Sequence, residues 1–177
     1  KHFIGIMIYL EKSITPFHSE RSVIDGQQRL TTIFLLLYAI KELMLERKMN
    51  SDAIQLENMY LVNQFSSTNK YKLKPLVSDD TVYQQIVTRD FANIKEVESN
   101  VYRNFHYIKN DIESLLDEFT INDVLIATNK LYIVCVPIGQ DDYPQKIFES
   151  INATGAKLTA SEPIRNYMLM PIDSDLQ

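Results

Sequence analysis

The chain has 177 residues, 45% of them hydrophobic and 23% charged, with 4 Gly, 6 Pro and a single Cys. These values suit one compact domain able to bury a core, and exclude collagen-like, disordered and disulfide-built classes. A net charge of -5 lacks the basic excess of a dedicated DNA-binding domain, because neutralising phosphates supplies much of that affinity.

Read in chain order, Phe3 to Leu10 has the apolar, β-branched pattern of a strand. A polar, Pro-containing stretch follows, then a second short strand at Ser22-Val23-Ile24 and a turn at Asp25-Gly26. From Gln27 to about Arg47 the pattern is a long helix. Its first half is apolar on almost every face (Leu30, Ile33, Phe34, Leu35, Leu36, Leu37), which marks a core helix. Its last turns, Lys41 to Lys48, are amphipathic and are expected to leave the core. The longest apolar run, Ile33 to Ile40, is far too short to span a bilayer.

Met59 to Phe65 and Tyr71 to Leu73 can pair as a hairpin around Ser66-Ser67-Thr68-Asn69. Ser78 and Asp79 start a helix carrying Val82, Tyr83, Ile86 and Val87. An amphipathic helix follows over about Asn100 to Phe119, with Val101, Phe105, Ile108, Ile112, Leu115 and Leu116 on one stripe. A short helix is expected around Asp123 to Thr128. Leu131 to Ile138 is a continuous β-branched strand of the kind covered on both faces. Helices over about Pro144 to Ile151 and Glu162 to Met170 close the chain, with Gly155 in the loop between them. Pro163 fits a first helical turn. The expected architecture is mixed α/β, with a mostly helical insertion over 51-129. The chain begins directly on a strand pattern and ends soon after a helix, so we expect a single domain, 1-177, cut from a longer protein.

The chemistry concentrates at Val23-Ile24-Asp25-Gly26-Gln27-Gln28-Arg29-Leu30-Thr31-Thr32, where a strand turns through Gly into a helix N-terminus. Backbone N–H groups and the helix dipole make such an end an anion site. Gly26 leaves room for a phosphate, and Arg29, one turn in, can close on it with two parallel hydrogen bonds. Gln27 and Gln28 offer amides to a base, a ribose or a water, while Asp25 can hold Mg²⁺ or orient a water. The same residues can equally be structural. Asp25 then caps the helix, Gly26 makes the turn, and Arg29 satisfies a buried carboxylate.

Other chemistries are poorly represented. His2, His18 and His106 are scattered without ligand spacing, so no zinc site is assigned. There is no G-x-x-x-x-G-K-[ST] loop, which excludes a conventional P-loop NTPase, and no G-x-S-x-G or H-E-x-x-H. Cys135 falls in the apolar strand and is expected to be inert packing; a lone Cys and no leader pattern point to the cytoplasm. The sequon at Asn152 is read as accidental.

The segment V-I-D-G-Q-Q-R-L-T-T resembles the signature of the N-terminal domain of GmrSD-type type IV restriction enzymes, shared with phosphorothioation-sensing SspE-like defence proteins. Phe148 to Leu158 is similar to that family's F-x-x-x-N-x-x-G-x-x-L motif, Arg165-Asn166 matches its closing R-N, and Lys72-Leu73-Lys74-Pro75 adds a further match. The resemblance implies a ParB/sulfiredoxin-like core that binds and hydrolyses a nucleoside triphosphate with Mg²⁺. Gly26 and Arg29 then stand as its G-x-x-R phosphate element. It also implies a catalytic set of Asp25, Gln28 and Arg29, with Asp25 toward the metal. Nucleotide contacts would come from Gly26, Gln27, Arg29, Thr31, Thr32, Asn152, Gly155, Arg165 and Asn166.

The family's partners are modified DNA and a C-terminal nuclease domain, in cis or in trans; a homo-oligomer is compatible with this, and a membrane is not expected. Two departures stand out. The family's N-terminal Q-R-x-Y-x-W-like segment is absent, and Pro163 replaces the usual Leu before I-R-N. Three functions compete: an NTP hydrolase, a nucleotide switch with negligible turnover, and a module gripping DNA phosphate.

Overall fold

The computed structural model describes residues 1–15, 18–66, 70–75, 77–95 and 98–139. Three strands, β1 (His2–Thr15), β2 (His18–Asp25) and β3 (Leu131–Ile138), form one mixed sheet in the order β2-β1-β3. Between β2 and β3 run α1 (Gln27–Glu46), α2 (Asn50–Leu56), a π-helical turn (Glu57–Leu61), α3 (Val77–Val87), a 3₁₀ turn (Phe91–Asn93), α4 (Asn100–Leu115) and α5 (Ile121–Thr128). The mixed α/β architecture read from the sequence is therefore the observed one. The described residues divide into two units, one from 1–8 with 26–136 and one from 9–25 with 137–139.

Within the second unit, the ends of β1 and β2 make a hairpin. Only two residues separate these strands, too few for a parallel crossover. Arg21 pairs with Glu11 at 3.4 Å and lies 5.3 Å over the Tyr9 ring. Both strands extend further than their apolar residues suggest, because cross-strand pairs of this kind stabilise polar positions that periodicity cannot register.

Within the first unit, α1 is the central element and packs mainly on α4 and α2. The apolar core joins Leu35, Ile40, Leu43 and Met44 of α1 to Val82 and Tyr83 of α3 and to Phe105 and Ile112 of α4. Phe91 stacks on Phe105 at 5.8 Å. The rings of Tyr38 and Tyr83 meet edge to face at 6.0 Å. Neither buried hydroxyl finds a hydrogen-bond partner in good geometry, and burial raises the pKa of both phenols. Partial burial, then the nearby Lys109, holds the His106 imidazole below its ordinary value.

Three expectations need correction. The C-terminal half of α1 does not leave the core: it is the most deeply buried part, and Lys41 and Glu42 are buried with it. They are tolerated there because each has an opposite charge at hydrogen-bond distance. Lys41 donates to Glu57 at 2.6 Å, and Arg89 forms a two-pronged pair with Glu42 at 2.7 and 2.8 Å. Nor is β3 covered on both faces. Among the described residues it is an edge strand, with Tyr132, Val134 and Cys135 exposed, so Cys135 is not core packing. The hairpin expected after Met59 contracts to a single antiparallel bridge, Val62 to Tyr71, because Met59 to Leu61 continue the π-helical turn.

Local signals place the remaining helices well. α4 buries Val101, Phe105 and Ile112 of the stripe, although Leu115 is half exposed. α5 begins two residues before the expected start, at a capping box in which Thr120 and Asp123 satisfy each other's backbone N–H groups. The Thr120 hydroxyl and N–H hold the Asp123 carboxyl below its ordinary value of 3.8. A depressed carboxylate pKa gives stability that is complete above the unfolded value and is lost as pH falls through the folded one. Thr120→Ala should therefore lower the melting temperature at pH 7, and the gap to wild type should narrow below about pH 4. A gap that stays constant down to pH 2 would show that the carboxylate is not part of the cap.

Candidate functional site

The turn from β2 into α1 is built around one backbone requirement. Gly26 is the residue before α1 and sits at φ 90, a left-handed conformation that suits glycine. Among the described residues no side chain caps this helix start, and its first turn contains no acid. The positive end of the dipole is thus not compensated from within the helix.

Asp25 is the last residue of β2 and half-buried, while Gln27 and Gln28 are exposed in the first turn. The hydroxyls of Thr31 and Thr32 donate back to the carbonyls of Gln27 and Gln28 at 3.0 and 2.9 Å. That leaves their oxygens able to accept but commits their protons to the helix.

Arg29 makes the long-range contact that seats the turn. Its Nη1 donates to the Ile6 carbonyl on β1, and its guanidinium lies against Gly5. Gly5 has φ 122, and a Cβ there would fall 2.7 Å from Arg29 Cζ. At Gly26 a Cβ would come within 3.1 Å of Arg29 Nη1 and 3.4 Å of the Ile6 oxygen. Both glycines therefore make room for the same guanidinium. No described carboxylate pairs with Arg29; its partner is a neutral carbonyl, and four of its five N–H donors lie outside that bond.

Gly5 was not singled out by its chemistry, yet a signal for it exists. An isolated Gly inside an apolar strand pattern, Phe3-Ile4-Gly5-Ile6, marks a place where another group approaches the backbone closely.

Asn152, Gly155, Arg165 and Asn166, and the helices expected to carry them, lie outside the described residues. Among the described residues no group of three or more His, Cys, Asp or Glu is arranged to hold a metal ion. No helix among them is long and apolar enough to cross a membrane.

No curated protein matches the chain. The family model for the N-terminal domain of the GmrSD restriction endonuclease does match, over residues 1–169, and the chain belongs to that restriction family.

Proposed function

We propose that this domain binds a nucleoside triphosphate at the start of α1 and hydrolyses it, coupling turnover to the sensing of modified DNA and to cutting by a nuclease domain in cis or in trans. The observation that carries the reading is the uncapped, acid-free start of α1 with Arg29 in its first turn. In this reading the Gly26–Gln28 backbone receives phosphate oxygens, Arg29 supplies a charge-assisted clamp, and Gln28 orients a water. The family resemblance assigns further nucleotide contacts to Asn152, Gly155, Arg165 and Asn166 and implies a ParB/sulfiredoxin-like core.

Mg²⁺ is commonly held by one or two carboxylates together with substrate phosphates. Asp25, the single carboxylate in the motif, fits an ion bound largely through the nucleotide, where it would neutralise phosphate charge.

Arg29→Ala tests the assignment, because a phosphate clamp and a tether to β1 fail differently. Charge-assisted hydrogen bonds contribute roughly 1.5–3 kcal/mol each, so nucleotide affinity should fall by about one to two orders of magnitude. The melting temperature should fall only modestly, since the bond lost ends on a neutral carbonyl. A variant that melts far below wild type, while its folded fraction binds nucleotide normally, would reduce Arg29 to a tether. Phosphate release with Mg²⁺ and each NTP separates a hydrolase from a switch. A salt titration of DNA binding tests whether the loop grips DNA instead.

A further inference from the structure

A cavity of about 460 Å³ opens between α2, α5 and the β1–β3 part of the sheet, within the first unit. That volume is in the range of small-molecule pockets, which combine an apolar body with a few polar groups. The floor is apolar: Ile4 of β1, Ile33 and Leu37 of α1, and Leu131 and Ile133 of β3. Two helices face each other across it with the same chemistry. From α2, Asp52 and Gln55 share a face that leads to Met59, at i, i+3 and i+7. From α5 come Asn122 and, just past its end, Asn129, again at i and i+7.

These four polar side chains are exposed, and among the described residues none of them has a protein hydrogen-bond partner. Met59, Tyr60 and Tyr132, all about half exposed, stand at the mouth. The first two are placed there by the π-helical turn, a local widening of the helix that is frequent at functional sites.

Among the described residues the lining contains no basic one, one carboxylate and three carboxamides. Arg29 lies one turn before Ile33 on the same stripe of α1, but its guanidinium is turned onto Gly5 and Ile6. An anionic ligand therefore has no counter-charge in the cavity, whereas a ring with N–H donors on its edge has several acceptors. Tyrosine rings and a thioether at the mouth suit stacking on a flat π-system.

We infer that this cavity is a second binding site, distinct from the start of α1, for an uncharged heteroaromatic ring bearing an amino group, the aminopurine and aminopyrimidine class. It is independent of the nucleotide-phosphate reading, since none of the motif residues 25–32 lines the cavity.

Methyl-labelled methionine gives a local readout, because Met44 and Met59 are the lining residues among six methionines. Adenosine and cytidine titrated into the full chain should shift the Met44 and Met59 methyl signals saturably and leave Met7 unmoved. Uridine, which lacks the amino group, should bind more weakly. Gln55→Leu and Asn122→Leu alter exposed rim positions and should keep the wild-type melting temperature. Each should weaken adenosine binding roughly 2- to 10-fold, the loss of one hydrogen bond. Arg29→Ala should leave adenosine binding unchanged, so failure of the phosphate site and failure of this site read out separately. The inference is overturned if neither methyl signal moves at millimolar nucleoside. Uridine matching adenosine overturns it too, as does ATP binding more tightly than adenosine through the same two signals.

Discussion

Gly5→Ala should destabilise the domain by about 2–4 kcal/mol and weaken nucleotide binding with it. Roughly 1–3 kcal/mol comes from forcing a side chain into a backbone conformation at φ 122 that L residues rarely adopt. The rest, about 1 kcal/mol, is the hydrogen bond lost when the new Cβ, 2.7 Å from Cζ, drives the Arg29 guanidinium off the Ile6 carbonyl. The mechanism predicts a sign as well as a size. With Arg29→Ala already present, the clash disappears and only the backbone term remains, so the double variant should be more stable than the two single losses imply. Residues in contact show such non-additivity, and urea denaturation of the four proteins measures it. Strictly additive losses would mean that Gly5 is kept for its backbone alone.

The second large effect is expected at Arg89. Arg89→Ala leaves the Glu42 carboxylate, on a side chain 10% exposed, without its two-pronged partner. Breaking a buried pair from one side costs roughly 3–5 kcal/mol. Because the Arg89 side chain is 49% exposed, the lower end of that range, about 3 kcal/mol, is expected after solvent screening. The bond to Glu42 also raises the Arg89 pKa.

Arg89 carries a second term that a second substitution isolates. It sits at φ 60, closing α3 where glycine is usual, with Asp90 N–H bonded to the Gln85 carbonyl at 2.8 Å. Alanine keeps that left-handed strain and glycine relieves it. Arg89→Gly should therefore be more stable than Arg89→Ala by about 1 kcal/mol. If both variants unfold at the wild-type urea midpoint, the pair is behaving as a solvated surface contact.

These two sites also show what can be read from sequence. The limits of α1 and β3 and the start of α4 are legible because each is written in a local apolar period, although α4 ends at Leu115 and not near Phe119; the start of α3 falls within one residue of its Ser-Asp signal. The turn at Asp25-Gly26 was legible for the same reason. Burial of Lys41 and Glu42 was not, because their partners Glu57 and Arg89 lie 16 and 47 residues away. A charged residue reads as exposed until its counter-ion is known. The seat of Arg29 escaped likewise, since its contacts at Gly5 and Ile6 are distant in the chain and one of them is a backbone carbonyl. The open face of β3 escaped because an apolar strand looks alike at the edge and the centre of a sheet.

The charged residues late in α1 bear on how the helical region folds as well as on how firmly it holds. Lys41 faces Glu57, Glu42 faces Arg89, and Glu46 faces Lys109 of α4 at 2.7 Å. Adjacent positions on a helix point about 100° apart, so opposite signs at 41 and 42 label two different sides of α1. A chain collapsing in the wrong arrangement, with the end of α3 against the side meant for the π-helical turn, would set Arg89 against Lys41 and leave Glu42 buried alone. Apolar surfaces would accept that error readily, since leucine and valine are indifferent to which neighbour they meet. Charge does not accept it, and so these pairs are expected to favour one order of helices around α1 over its alternatives.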